Sequence, residues 1–180
     1  LDWIEDRVAI VHQDLRNYAR DHHNDRTVGS TLVVWVEAGE LGSVLWAGDS
    51  RLYRLRDQVL EPMTRDHSLM NEMLDRGLIS EEAASEGKGG NVITRAVGAR
   101  EQIHLDLKLF EIKSQDRFLL CSDGLYNAIA ELQIAKLLSK PYSMEVKCQK
   151  IMAQALQAGA RDNVTFILIE PLESLSYAPQ

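Results

Sequence analysis

The sequence predicts an α+β layered sandwich, in which antiparallel β-strands pack against α-helices. Short segments rich in β-branched and apolar residues are separated by turn residues, as in antiparallel sheets. Other segments repeat apolar residues three and four positions apart, which is the spacing of amphipathic helices. The two kinds of segment do not alternate strictly, which argues against a parallel α/β sheet. A length of 180 residues suits one domain with a substantial core, so we expect a single domain over residues 1–180.

The chain begins with one predicted helix and three predicted strands. Apolar residues recur at helical spacing from Leu1 to Tyr18, and a polar connector follows at residues 22–25. Strands are predicted at residues 30–37, 43–47 and 51–56. The turn residues between them predict an antiparallel meander of these three strands.

Two short helices and a loop are predicted next. Methionines and leucines at residues 69–74 lie on one helical face, where we expect pliable core packing, and Gly77 ends this helix. Ser80 is expected to cap a second helix, and the glycine-rich stretch 86–90 is expected to be a mobile surface loop. The remaining predictions are strands at 105–110, 116–121 and 163–170, helices at 128–139 and 144–156, and a frayed tail at 171–180.

The composition excludes several classes of partner. The chain carries 20 Lys+Arg against 27 Asp+Glu, a net charge of −7, and it has no basic stripe. We therefore expect binding neither to nucleic acid nor to an anionic membrane surface. No apolar segment approaches the roughly 20 residues that span a bilayer. Cys121 and Cys148 both lie in apolar patterns, as expected for core thiols in a reducing compartment, so we expect a cytoplasmic location.

Three aspartates lie at the ends of apolar runs and carry most of the functional information. They are Asp123 after Phe118-Leu119-Leu120-Cys121-Ser122, Asp49 after Val44-Leu45-Trp46-Ala47-Gly48, and Asp162 before Asn163 and the run Val164–Ile169. Strand ends hold side chains rigidly, and Mg²⁺ and Mn²⁺ prefer oxygen ligands. If the three carboxylates converge, they predict a site for a divalent cation. Each one alone is also compatible with an ordinary turn aspartate, because Asp-Gly and Asp-Asn favour turns by themselves.

Six blocks of residues, which together cover roughly residues 29–170, carry a recognisable pattern. The blocks are Gly29-Ser30-Thr31-Leu32-Val33, Ala47-Gly48-Asp49-Ser50-Arg51-Leu52-Tyr53, Thr64-Arg65-Asp66-His67-Ser68, Asn91-Val92-Ile93-Thr94-Arg95-Ala96-Val97-Gly98, Leu120-Cys121-Ser122-Asp123-Gly124-Leu125 and Ala160-Arg161-Asp162-Asn163-Val164-Thr165. In this order they resemble the bacterial form of the metal-dependent protein serine/threonine phosphatases of type 2C, and the segment 66–91 resembles the flap of bacterial members.

The resemblance implies a four-layer sandwich of two antiparallel β-sheets flanked by helix pairs, with metal ions in a cleft at one end. By their places in the blocks, Asp123 and Asp162 are implied to bind the catalytic pair of ions. Asp49 is implied to bind a third, weaker ion that Asp123 shares.

Four further residues are implied to support the site. Gly124, Asn163 and Ser50 belong to the local turns around the three aspartates. Asn127 stands four residues after Asp123, where some members have another acidic ligand, so its carbonyl oxygen would serve a weakened third site.

The implied activity is hydrolysis of phosphoserine and phosphothreonine in proteins with Mn²⁺ or Mg²⁺, two ions or three in the complete domain. Two such ions about 4 Å apart activate water and neutralise phosphoryl charge, so no protein nucleophile is required. The expected substrates are phosphoproteins, targets of a bacterial Ser/Thr kinase.

The first part of the chain departs from the family pattern. Members carry an early Asp-Gly segment whose aspartate bridges two metal ions, and nothing in residues 1–27 matches it. Asp2, Asp6 and Asp14 lie in a helical pattern and do not take that role. We therefore expect an N-terminally truncated chain with missing strands, weakened metal binding and impaired activity.

Two other functions stay open at the level of sequence. The departure favours a non-catalytic regulatory module that keeps the fold and binds a partner, whereas the retained Asp49, Asp123 and Asp162 favour catalysis. A two-metal nuclease would share the ion chemistry, but the acidic balance and the lack of a basic groove argue against it. His67 follows an aspartate at a helix start, and we expect it to cap or pack and not to act as a general acid.

Overall fold

The computed structural model describes residues 1–24, 26–85 and 92–171 of the chain. The predicted loop at 86–90, Asn91 of the fourth block and residues 172–180 of the predicted tail lie outside these described residues. The helices are α1 Asp2–His22, α2 Leu69–Asp75, α3 Glu81–Ser85, α4 Asp123–Tyr126, α5 Glu131–Leu138 and α6 Met144–Gln157. The strands are β1 Leu32–Ala38, β2 Leu41–Ala47, β3 Arg51–Arg56, β4 Val59–Pro62, β5 Asp106–Glu111, β6 Arg117–Cys121 and β7 Phe166–Ile169.

The strands form two antiparallel sheets, one with the order β1-β2-β5 and one with the order β4-β3-β6-β7. This arrangement, together with the six helices of the described part of the chain, confirms the predicted α+β class.

The chain divides into two compact units. Unit 1 consists of Leu1–Val34, Leu45–Ser50 and Arg65–Leu107, and unit 2 of Trp35–Val44, Arg51–Thr64 and the chain from Lys108 onward. The expectation of one domain over residues 1–180 stays a prediction.

Unit 1 contains the predicted first helix, which runs four residues further than expected. Its buried residues are Ile4, His12 and Ala19. At α2, the side chain of Ser68 accepts the Asn71 N–H at 3.3 Å and so caps the helix. No residue of α2 is buried, so the expected methionine core at this helix is wrong.

Unit 2 contains the main apolar core. Strand alternation turns Trp35, Phe110 and Phe118 towards one another, with ring centroids 4.5–5.6 Å apart, so strands of both sheets pack here. On the other side, α5 and α6 cover the four-stranded sheet. The buried residues of this cluster are Tyr53, Leu55, Leu119, Cys121, Leu125, Ile129, Ile134, Ala135, Leu138, Ile151, Ala155 and Leu168.

The predicted meander of the first three strands is wrong, because β3 belongs to the second sheet. It pairs with β6 on one side, with Arg51 opposite Cys121, and with β4 on the other. The physical reason lies in the turn after β2. Gly48 has φ +113°, a conformation that ends the strand and redirects the chain before β3 begins.

Strand β4 was not expected from the sequence. It follows the two residues Asp57 and Gln58, whose φ values of 50° and 63° are both positive, as in the tight turns of two-residue hairpins. The turn sets Arg56 opposite Val59.

The part of the chain that the structure describes has no helix long and apolar enough to cross a membrane.

Candidate metal centre

Asp123 is placed by an abrupt change from strand to helix. Strand β6 ends at Cys121, Ser122 has extended backbone angles, and Asp123 is the first residue of α4. The buried side chains of β6 and Leu125 anchor the segment on both sides of the aspartate. Its carboxylate is therefore held at a sheet end on a rigid support and remains half-buried, not enclosed.

Ser122 ties this segment to the loop that carries Asp162. The Ser122 N–H donates to the Thr165 carbonyl at 3.0 Å, and the Thr165 N–H donates to the Ser122 hydroxyl at 3.2 Å. The same hydroxyl donates to the Asn163 carbonyl at 3.1 Å. These bonds continue the pairing of β6 with β7, so the two loops run side by side beyond the sheet.

Asp123 and Asp162 consequently line one cleft of about 530 Å³ in unit 2. The cleft is lined by Asp123, Gly124, Asn127, Ala128, Ala158, Gly159, Ala160, Arg161 and Asp162. No thiol or imidazole is among these residues, and the possible ligands are carboxylate, amide and backbone oxygens. This donor set suits Mg²⁺ or Mn²⁺ and does not suit Zn²⁺ or copper.

Two asparagines contact these carboxylates directly. The Asn127 side-chain amide donates to Asp123 Oδ2 over 3.4 Å, and the Asn163 backbone N–H donates to Asp162 Oδ1 at 2.7 Å. Asn127 therefore presents its nitrogen to Asp123, whereas the sequence suggested that its carbonyl oxygen would serve a metal ion. Both contacts orient the carboxylates without adding negative charge to the cleft.

Gly124 allows the two loops to approach, and its replacement gives a testable result. A Cβ at this position would lie 2.3 Å from the Asn163 carbonyl oxygen, a backbone atom that cannot swing away. We expect Gly124→Ala to push the loops apart and to lower the free energy of unfolding by about 1–3 kcal/mol, as overpacking does. Urea denaturation of both proteins measures this change.

Gly39→Ala is the matched control for that experiment. Gly39 has φ +62°, and no atom lies within 4 Å of the position that a Cβ would take, so its replacement tests backbone strain without a clash. Mn²⁺ affinity should fall in Gly124→Ala and stay unchanged in Gly39→Ala. Equal Mn²⁺ affinity in the two variants would contradict the importance of the close approach.

Asp49 lies in unit 1, directly after the Gly48 turn. Its side chain is buried, and a Cβ on Gly48 would lie 2.4 Å from the Thr31 methyl carbon. The hydroxyl groups of Thr31 and Ser50 are 2.9 Å apart and hydrogen-bonded. Thr31 and Ser50 thus brace the turn on both sides of Asp49.

His67 was not expected to take part in this turn, yet it contacts Gly48 twice. The Gly48 N–H donates to His67 Nδ1 at 3.0 Å, and the His67 N–H donates to the Gly48 carbonyl at 2.9 Å. The ring also stacks on Trp46, with an interplanar angle of 8°. Packing is therefore confirmed for His67, whereas the helix cap is provided by Ser68.

The electrostatic environment keeps the His67 ring neutral. Burial, followed by the nearby positive charge of Arg95, lowers the pKa of His67 below its ordinary value, and Asp106 and Asp66 oppose this shift only in part. A neutral ring can accept the Gly48 N–H on Nδ1. The sequence separation of 19 between Gly48 and His67 explains why no local sequence signal revealed the contact.

Within residues 1–24, 26–85 and 92–171, no three His, Cys, Asp or Glu side chains are grouped so that they could hold a metal ion. The carboxylate oxygens of the pair Asp123 and Asp162 are the kind of donor that a hard divalent cation prefers.

Comparison with known proteins gives a consistent set of relatives, although no family model matches the chain. The chain is similar to the serine/threonine phosphatase Stp of Listeria monocytogenes, 32% identical over 168 residues, or 93% of this chain and 67% of the relative. It is also similar to the protein phosphatase PhpP of Streptococcus pneumoniae, 30% identical, covering 93% of this chain and 68% of the relative.

Solved structures agree with these relatives. PppA, a key regulatory component of T6SS in Pseudomonas aeruginosa, is 38% identical with a TM-score of 0.78, covering 91% of this chain and 66% of PppA. Stp1 of Staphylococcus aureus is 29% identical with a TM-score of 0.86, and the match covers 96% of this chain and 68% of Stp1. The catalytic domain of PstP was solved in complex with two manganese ions. It is 29% identical with a TM-score of 0.73, and the match covers 87% of this chain and 65% of the PstP domain.

The chain thus spans about two thirds of the length of the proteins that it matches. These relatives are a serine/threonine phosphatase and a protein phosphatase, and the alignment to each extends along almost the whole of this chain. By these likenesses, the chain belongs to the type 2C family of bacterial serine/threonine protein phosphatases.

Proposed function

We propose that this chain carries the metal-dependent core that hydrolyses phosphoserine and phosphothreonine in proteins. The observation that supports this most is the placement of Asp123 and Asp162 in one cleft with an oxygen-only donor set. The relatives act as serine/threonine phosphatases, which agrees with this chemistry.

We further propose that Asp123 and Asp162 hold Mn²⁺ or Mg²⁺ and that Asp49 holds a weaker third ion. The PstP relative, with its two manganese ions, supports this choice of cofactor. When bound, these ions would activate water and neutralise charge on the phosphoryl group. Gly124, Ser50 and Asn163 act by shaping the loops that carry the three carboxylates.

The remaining polar residues of the cleft suit a phosphorylated substrate. Arg161 lines the same cleft, and a guanidinium group there attracts phosphoryl oxygens through charge-assisted hydrogen bonds. The Asn127 side-chain amide donates to Asp123 and so helps to orient its carboxyl group. Cys121 is buried in β6, so it is not placed to attack a substrate.

The proposed substrates are phosphoproteins of a bacterial Ser/Thr kinase in the cytoplasm. Support comes from the bacterial relatives that act on phosphorylated proteins, and from the acidic net charge of −7, which disfavours nucleic acid as a substrate.

The test is release of phosphate from a phosphothreonine peptide by the 180-residue chain, with Mn²⁺ and then with excess EDTA. We expect turnover that is impaired by the departure in residues 1–27, requires Mn²⁺ and stops with EDTA, because the proposed ligands are carboxylates that release the ion to a chelator. The same assay on a longer chain, as long as the relatives, measures how much activity the matching residues reach with additional sequence. A longer chain that also fails to release phosphate with Mn²⁺ would overturn the proposed function.

A further inference from the structure

We propose that His67 is a positioning residue for Asp49: its imidazole fixes the Gly48 turn and thereby aims the Asp49 carboxylate at the weaker ion. This inference rests on the proposed role of Asp49 as a metal ligand. All the contacts that carry it lie within unit 1.

The first step is that His67 forms hydrogen bonds with both the N–H and the carbonyl group of Gly48. Gly48 donates its N–H to Nδ1 of the ring at 3.0 Å and accepts the His67 backbone N–H at 2.9 Å. A residue held by both its N–H and its carbonyl has little freedom to rotate. The orientation of Gly48 sets where the next residue, Asp49, points.

The second step is that the hydrogen bonds to His67 add to the bracing by Thr31 and Ser50, at a residue whose own backbone is permissive. Gly48 has φ +113°, which L-residues rarely adopt, and Thr31 fills the space that a side chain would need. A glycine in such a conformation is intrinsically flexible. The hydrogen bonds to His67 therefore supply an orientation that the backbone does not impose.

The third step is that ring stacking and a backbone hydrogen bond hold His67 in place. Trp46 stacks on the ring and donates its indole N–H to the Arg65 carbonyl at 2.8 Å. The Thr94 N–H donates to the His67 carbonyl at 2.8 Å. On the far side of the ring, Nε2 lies 3.4 Å from Asp106 Oδ2.

These contacts also define which ring nitrogen carries the proton. Because Nδ1 accepts the Gly48 N–H, the proton of the neutral ring is on Nε2, facing the Asp106 carboxylate. Asp106 is held in turn by its ion pair with Arg95. Contacts of this kind, here from the Gly48 turn through His67 to Asp106, orient metal ligands from outside the coordination shell.

The chain offers a matched control elsewhere in unit 1. His12 is buried, and its Nδ1 accepts the N–H of Gly98 at 2.9 Å, a glycine with φ +87°. The bond is the same in kind and length, but no proposed metal ligand is next to Gly98. Loss of His12 should therefore affect stability and leave metal binding intact.

The test compares three variants of His67 in Mn²⁺ titrations of the whole chain by calorimetry and by Mn²⁺ electron paramagnetic resonance. His67→Asn places an acceptor oxygen near the position of Nδ1, whereas His67→Gln places its amide near Nε2 and leaves the Gly48 N–H without its acceptor. We expect His67→Ala and His67→Gln to weaken the Asp49-dependent ion by about tenfold, as loss of an outer-shell partner does. His67→Asn and His12→Ala should stay close to wild type.

Three results would overturn the inference. One is equal Mn²⁺ affinity in His67→Asn and His67→Gln, and another is a loss of affinity in His12→Ala as large as in His67→Ala. The third is an Asp49→Asn variant that binds Mn²⁺ with the same affinity as the wild-type chain. In that third case, Mn²⁺-dependent hydrolysis through Asp123 and Asp162 would still stand, so failure of this inference is distinct from failure of the proposed function.

A second readout is independent of any metal ion. In ¹⁵N spectra of the imidazole rings at neutral pH, we expect His67 to carry its proton on Nε2, with an unprotonated Nδ1 that is hydrogen-bonded to the Gly48 amide. A His67 ring protonated on Nδ1 would contradict the proposed contact directly.

Discussion

Replacing Asp123 or Asp162 by asparagine is expected to reduce Mn²⁺-dependent phosphate release by more than about 100-fold. Even the mutation of a residue that only contacts a metal ligand typically lowers metal affinity or activity by about 10–100-fold. The change removes a negative charge from the cleft and keeps the size of the side chain. The surrounding hydrogen bonds can persist, because an amide oxygen can still accept the Asn163 N–H that Asp162 accepts at 2.7 Å. The fold should therefore survive while metal binding fails.

The measurements are kcat/KM on the phosphothreonine peptide over a range of Mn²⁺ concentrations and a thermal melt of each protein. Asp14→Asn is the matched control, because Asp14 is an exposed aspartate on α1 and its replacement changes the net charge by the same amount. We expect melting temperatures close to wild type in all three variants and full activity in Asp14→Asn. Turnover in Asp123→Asn equal to that in Asp14→Asn would refute the site.

Replacing Asp116 by asparagine is expected to lower the free energy of unfolding by about 3 kcal/mol, the usual cost of breaking a buried ion pair. Asp116 is 2% exposed and accepts both Nε and Nη2 of Arg56, at 2.7 and 2.6 Å, and the Lys113 N–H at 2.8 Å. An amide in its place would turn a donor towards these donors. Urea denaturation measures the loss.

The exposed pair Arg54–Glu61, at 2.7 Å, is the control for that measurement. Because Glu61 is well exposed, Glu61→Gln should cost less than about 1 kcal/mol. An equally small cost for Asp116→Asn would show that burial adds nothing to the Arg56–Asp116 pair.

The Asp116 effect should also depend on pH in a defined direction. Burial by itself would raise the pKa of Asp116, but the hydrogen bonds from Arg56 and Lys113 outweigh it and hold the pKa below its ordinary value of 3.8. A carboxyl group whose pKa is lowered by folding stabilises the protein above its unfolded pKa and loses that contribution as the pH falls through its folded pKa. The difference in stability between wild type and Asp116→Asn should thus be constant near neutrality and shrink below about pH 4.

The sequence predicted the principal pair of the candidate site because its signals are local. Asp123 and Asp162 each adjoin an apolar run, and adjacent antiparallel strands bring such ends together. His67 could not be predicted in the same way, since its partner Gly48 lies in a different segment and a single histidine has no spacing pattern. The metal-binding roles of Asp49, Asp123 and Asp162 stay predictions.

The fold was predicted best where periodicity is strong and worst where sheet membership is decided by long-range pairing. Helices α1 and α6 follow regular apolar spacing and begin close to where they were expected, although α1 runs four residues further. Strand β3 was expected beside β2 because consecutive strands usually pair, yet its partner β6 begins only at Arg117. Strand β4 has four residues and follows an Asp-Gln turn, which lacks the usual Asn-Gly or Asp-Gly signal.

The Ser122 hydrogen bonds to the loop before β7 have a consequence for the order of events during synthesis. Asp123 emerges from the ribosome long before Asp162, and β7 must emerge after both before it can pair with β6. Until then the two carboxylates are joined only through the segment that contains α5 and α6, and ordering them around an ion would cost the entropy of closing that loop. We therefore expect the proposed ions to enter the cleft late, after translation of Ile169 and after the last strand has paired in register.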